Sequence, residues 1–163
     1  MMAAVRSPKG FSLIEAMIAV VLVGLSVTAL VVASQSFTQA NSFGADLSTA
    51  EFLIEQVREL TVLLPVVDPE TVTATFGPEE TGLTAYDDVD DFDSATFSPP
   101  ISANRVALTD LGSYTQQMTV QNLSPTNFDM VVADHSSAFI RITVIILQNG
   151  QQISSTNWIR ARY

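Results

Sequence analysis

An apolar run, "FSLIEAMIAVVLVGLSVTALVVA", occupies residues 11–33, and Glu15 is its only charged side chain. As a helix at about 1.5 Å per residue, the run is long enough to cross a hydrocarbon core of roughly 30 Å. Arg6 and Lys9 precede it, and the next basic residue is Arg58. The positive-inside rule then places the N-terminus in the cytoplasm and everything after the run outside. An acidic side chain at the centre of a membrane helix costs about 2.5–3.5 kcal/mol on insertion scales, and such residues usually mark function. Glu15 therefore demands an explanation.

Three readings compete for this stretch. A secretory signal peptide fits the basic start, with Val31-Val32-Ala33 as a small-residue cleavage site. The run is nevertheless longer than the usual apolar region of about 7–15 residues, and Glu15 interrupts its beginning. A plain membrane anchor carrying an ectodomain accounts for the length and leaves Glu15 unexplained. The third reading accounts for both. The heptapeptide Lys9-Gly10-Phe11-Ser12-Leu13-Ile14-Glu15 resembles the cleavage and methylation site of type IV prepilins. In that family a short basic leader ends in Gly, and the new N-terminal residue, usually Phe, is methylated.

The resemblance implies a cut between Gly10 and Phe11 by a prepilin peptidase/methyltransferase, followed by N-methylation of Phe11. It also implies an assembly role for Glu15, which matches the family's glutamate. Cleavage leaves a positive amine at Phe11, and Glu15 of one subunit can pair with the amine of a neighbour. A buried charge is tolerable when paired, and breaking such a pair costs about 3–5 kcal/mol. Many major pilins carry a proline midway along this segment; here only Gly24 weakens the helix.

Helical periodicity continues past Ala33. Phe43, Leu47, Ala50, Ile54, Val57 and Leu64 build one apolar stripe, with Glu51, Glu55, Arg58 and Glu59 off it, and Pro65 closes the segment. Residues 66–105 have no sustained period and contain Pro69, Pro78, Pro99 and Pro100. Short extended pieces are expected at Thr71–Phe76 and Ala103–Leu108. Within this stretch "YDDVDDFD" places Asp87, Asp88, Asp90, Asp91 and Asp93 close together, with little apolar content to hold them. The spacing is not that of an EF-hand loop. Three fates remain open: a solvated acidic loop, a calcium site, and pairing with Arg141, Arg160 or Arg162. The resemblance adds that some pilin-like proteins hold calcium in the loop before the sheet.

Strand signals fill the C-terminal third. They cover Tyr114–Leu123, Phe128–Ala133, Phe139–Leu147 and Gln151–Ala161, with Asn149-Gly150 as a hairpin turn between the last two. Helix, loop and meander in that order make an α+β chain, the order expected of a pilin fold: a long N-terminal helix, transmembrane in its first half, packed on a C-terminal antiparallel sheet. The expected organisation is a cytoplasmic leader at 1–10, a long helix at 11–64 with its transmembrane part at 11–33, and an extracytoplasmic head at 65–163.

The net charge of −10 on 163 residues argues against a nucleic-acid partner, and the absence of Cys removes thiolate chemistry and disulfides. His135, the lone histidine, reads as a solvent-exposed loop residue, and Trp158 as a core residue. No phosphate loop, zinc motif or dinucleotide fingerprint is present, so neither an enzyme nor a cofactor is expected, calcium aside.

The resemblance implies a minor pilin of the pilus modification type or a type II secretion pseudopilin. Such a subunit inserts singly through the inner membrane before entering a pilus or periplasmic pseudopilus. Its partners would be other pilin subunits, the processing enzyme and membrane lipid. A signal-anchored ectodomain that does not polymerise is the alternative from another class.

Overall fold

The computed structural model describes residues 10–66 and 76–162. Arg6, Lys9, Pro69 and all but the last residue of the piece expected at Thr71–Phe76 lie outside the described residues. The chain divides into two compact units, Met1–Gly44 and Ala45–Tyr163.

One helix, α1, runs over Leu13–Val62. In the first unit its apolar side chains are exposed, and the most hydrophobic window is 0% buried. It is long and apolar enough to cross a membrane. Two hydroxyls in the apolar run are satisfied within the helix: Ser26 donates to the Leu22 carbonyl at 2.8 Å and Thr28 to that of Gly24 at 2.9 Å. Such back-bonding suits an environment with no water to hydrogen-bond a side chain. Gly24 sits within the continuous helix.

In the second unit α1 buries Ala50, Leu53, Ile54, Val57, Leu60 and Thr61. These positions recur every three or four residues and form a single face. Of the expected stripe, Ala50, Ile54 and Val57 are core residues, whereas Phe43 and Leu47 are exposed. Phe43 belongs to the N-terminal unit, and Leu53 and Leu60 complete the face instead.

The sheet has five antiparallel strands: β1 (Thr96–Phe97), β2 (Tyr114–Ser124), β3 (Asn127–Val131), β4 (Phe139–Gln148) and β5 (Gln151–Ala161). The order is β1-β2-β4-β5, and β3 also pairs with β2. Thus β1 and β3 meet different parts of β2, at Gln116–Gln117 and Leu123–Ser124. Alternation sets the faces: Ile140, Ile142, Val144 and Ile146 of β4 are fully buried, each contributing about 1.5–3 kcal/mol of hydrophobic stabilisation. They share one core with the buried face of α1, Met118 and Val120. The arrangement is the expected α+β, pilin-like one.

Asn149 and Gly150 both take positive φ, 50° and 81°, and Gln148 pairs with Gln151 across them. This is the two-residue turn whose twist matches the flanking strands. Two expectations need correction. Ala103–Leu108 is not extended. It is a turn closed by an Ile101–Ala107 bridge, with Arg105 at φ 63° and its N–H donating to the Ser102 carbonyl. Trp158 only packs against the core margin, half-buried, with the Arg58 guanidinium 5.1 Å from its ring centroid.

Polar contacts fasten α1 to the sheet. Tyr114 and Gln148 both donate to Asp46 Oδ1, at 2.8 and 2.7 Å. The buried Gln116 side chain accepts from the Ile101 N–H at 2.7 Å and donates to the Leu53 and Ile101 carbonyls at 3.0 and 3.2 Å. The Arg160 guanidinium donates to the Thr61 carbonyl and, at 2.9 Å, to that of Leu64. The last turn of α1 has no basic residue of its own. Arg160 therefore supplies from β5 the positive charge that the C-terminal end of a helix dipole favours.

Candidate functional site

Two places bring the predicted residues into a definite geometry. The first is the start of α1. Gly10 and Phe11 precede the helix and are exposed, Phe11 at 90%. Ser12 and Glu15 then form a reciprocal cap. The Ser12 main-chain N–H and hydroxyl donate to Glu15 Oε2 at 3.0 and 3.1 Å, and the Glu15 N–H donates to Ser12 Oγ at 3.3 Å. This is the capping box, in which a serine and a glutamate three residues on satisfy each other's orphan amides. Its S-x-x-E signature is present in "SLIE", so Glu15 has a local structural partner that the prepilin resemblance alone does not supply.

The second place is the acidic loop, and its five aspartates divide their tasks. Asp88 and Asp91 clamp a single 3-10 turn at Asp90–Phe92: Asp88 Oδ1 accepts from the Asp91 N–H at 3.0 Å, and Asp91 Oδ2 from the Asp87 N–H at 2.9 Å. Asp93 turns to the sheet, where its Oδ1 accepts from the Val120 N–H at 2.7 Å. With the Ala95 carbonyl accepting from the Met118 N–H, it completes the β2 edge between β1 and β3. Asp90 faces His135, whose Nε2 lies 3.7 Å from Asp90 Oδ2. The His135 side chain is 28% exposed and packs edge-on to Phe76 at 5.4 Å. The residue is exposed on its turn, as expected.

The loop is also held by more apolar content than its composition suggested. Val89 and Phe92 are fully buried, and Phe92 contacts the Tyr86 ring edge-on at 5.1 Å. These two anchors carry their neighbours inward, leaving Asp88, Asp90 and Asp91 at most 1% exposed. Burial pushes the Asp88 and Asp90 carboxyls above the usual carboxylate range. Contact with Asp91 does the same to Glu80, which also loses solvent. Of the expected arginine partners, Arg141 and Arg160 donate to main-chain carbonyls, of Phe128 and of Thr61 and Leu64. Arg162 lines a cleft with Leu63, Leu64, Pro65 and Val66.

A family model for the prokaryotic N-terminal methylation motif matches residues 5–31. The chain carries a type IV pilin-like prepilin signal. No curated protein and no solved structure matches the chain. The prepilin signal supports a type IV pilin- or pseudopilin-like subunit, and indicates a structural subunit rather than an enzyme. In general it implies assembly with other pilin subunits and processing by a prepilin peptidase. Together with the apolar first part of α1, the signal suits membrane anchoring.

Proposed function

We propose that this chain is a minor pilin, processed between Gly10 and Phe11, N-methylated on Phe11 and assembled through α1 into a type IV pilus or pilus-like filament. Before assembly it spans the inner membrane once, with residues 1–10 as a cytoplasmic leader and the head outside the cytoplasm. The observation that carries this reading is the prepilin signal at residues 5–31 leading directly into a helix whose apolar side chains are exposed. Lipid covers such a surface before assembly, and the helices of neighbouring subunits cover it afterwards. Within the filament Glu15 exchanges its contact with Ser12 for the Phe11 amine of a neighbour. A pseudopilus of a type II secretion system would use the same helix in the same way.

Intact-mass measurement of the membrane-purified protein tests the processing step. The expected mass is that of a chain starting at Phe11 plus one methyl group, and Gly10→Arg should abolish it. A chain starting at Ser34 would establish a signal peptide. A correctly processed chain absent from sheared filaments would establish an anchored ectodomain.

A further inference from the structure

We infer that the acidic loop is a pH-operated latch: Asp88 shares a proton with Asp90, Glu80 shares one with Asp91, and losing these protons loosens the loop. Asp88, Asp90 and Asp91 are at most 1% exposed. Neither oxygen of Asp90 meets a hydrogen-bond donor, and the same holds for Asp88 Oδ2, Asp91 Oδ1 and the buried Oε2 of Glu80. Yet the Asp88 and Asp90 side chains are in hydrogen-bonding contact, and so are those of Glu80 and Asp91. An ionised carboxylate can only accept, so two of them facing each other out of water repel. One proton between them turns the repulsion into a hydrogen bond, and the pair then titrates as a unit. Asp88 commits Oδ1 to the Asp91 N–H at 3.0 Å, which leaves Oδ2 to carry the proton.

The surroundings supply no other donor. His135 Nε2, at 3.7 Å from Asp90 Oδ2, is beyond hydrogen-bond distance. The remaining charged groups that act on the pairs are acidic: Glu79 and Asp91 on Asp90, Asp91 on Asp88, and Asp87 on Glu80. Burial lifts Asp90 to about 6, and burial followed by contact with Asp90 lifts Asp88 to about 8. Contact with Asp91 and then loss of solvent lift Glu80 to about 7. Unfolded carboxyls release their protons near pH 4, so the folded chain holds these protons more tightly. The associated stability is complete below about pH 4 and is lost as pH rises through about 6 to about 8. The protons pass to solvent, and like charges then push Glu80 from Asp91 and Asp88 from Asp90. Because the Val89 N–H donates to the Pro65 carbonyl at 3.0 Å, the same loop is tied to the segment that follows α1. This inference does not depend on the filament reading.

The test uses the full-length protein in detergent micelles. Its melting temperature should fall by on the order of 5–10 °C between about pH 5.5 and about pH 8.5. Asp88→Asn keeps an oxygen for the Asp91 N–H and offers Asp90 an amide donor at every pH, and Glu80→Gln offers Asp91 the same. The double variant should therefore lose most of the drop. His135→Asn, a residue suited to the positive φ of 56° at that position, should keep most of it. Amide protection at Asp87 and Asp91 should weaken about tenfold or more over this range in wild type and hold in the double variant. Melting of wild type that ignores pH, a full drop in the double variant, or a drop abolished by His135→Asn alone would overturn the latch.

Discussion

Glu15 reaches back one turn to Ser12, so the carboxylate proposed to pair with a neighbouring subunit is already engaged within its own chain. Charge and cap can be separated by substitution. Glu15→Gln keeps an oxygen that can accept from the Ser12 N–H and removes the charge, whereas Glu15→Val removes both. Both variants should insert into membranes at least as well as wild type and be depleted from sheared filaments. Ser12→Ala removes only the hydroxyl part of the cap, worth about 1 kcal/mol, and should still assemble. Quantitative blotting of membrane and filament fractions checks the three together. Normal incorporation of Glu15→Gln would show that the cap, not the charge, is what Glu15 provides.

Gln116 is fully buried and all its hydrogen-bonding groups are satisfied. Gln116→Leu orphans the Ile101 N–H, at an expected cost of about 1–3 kcal/mol. Gln116→Glu should cost more, since it aims a carboxylate at the Leu53 and Ile101 carbonyls. Urea midpoints, with the slope unchanged, measure both.

Asp93 stands in for a strand partner at the β2 edge, through the Val120 N–H. Asp93→Asn keeps an acceptor and should be nearly neutral. Asp93→Ala should lower stability by about 1 kcal/mol or more. Amide exchange at Val120 should accelerate in the alanine variant alone.

The Tyr114 hydroxyl is held above its ordinary pKa, first by burial and then by its hydrogen bond to Asp46. The folded state thus binds this proton more tightly than the unfolded chain does. The associated stability is complete below the unfolded value, near pH 10, and is lost as pH rises from there through the folded value. Denaturant midpoints should fall above about pH 10 in wild type, and more steeply than in Tyr114→Phe.

Much of the head was legible because its strands follow elementary rules. The alternation in "FIRITVIILQ" and the Asn149-Gly150 turn place β4 and β5 from local pattern alone. The acidic loop was not legible, for a physical reason. Asp93 finds its donor 27 positions away, and which oxygens are buried depends on where Val89 and Phe92 dock. Composition shows the charge and hides its division of labour. The Ser12–Glu15 cap is a different case, since its spacing is visible in "SLIE" but the membrane cost of Glu15 draws attention to assembly instead. His135 was legible as an exposed turn residue, but its neighbour Asp90 was not, because the two adjoin only in three dimensions.

The fastening of α1 to late strands has a consequence for manufacture. The Leu53 carbonyl waits 63 positions for the Gln116 side chain, and Thr61 waits 99 positions for Arg160. At synthesis rates of about 5–20 residues per second, the buried face of α1 is made several seconds before the strands that cover it. During that interval Leu53, Ile54 and Val57 lack the strand residues that share their core in the folded chain. A chain truncated before β4 would never leave that condition, and it should be degraded rather than accumulate.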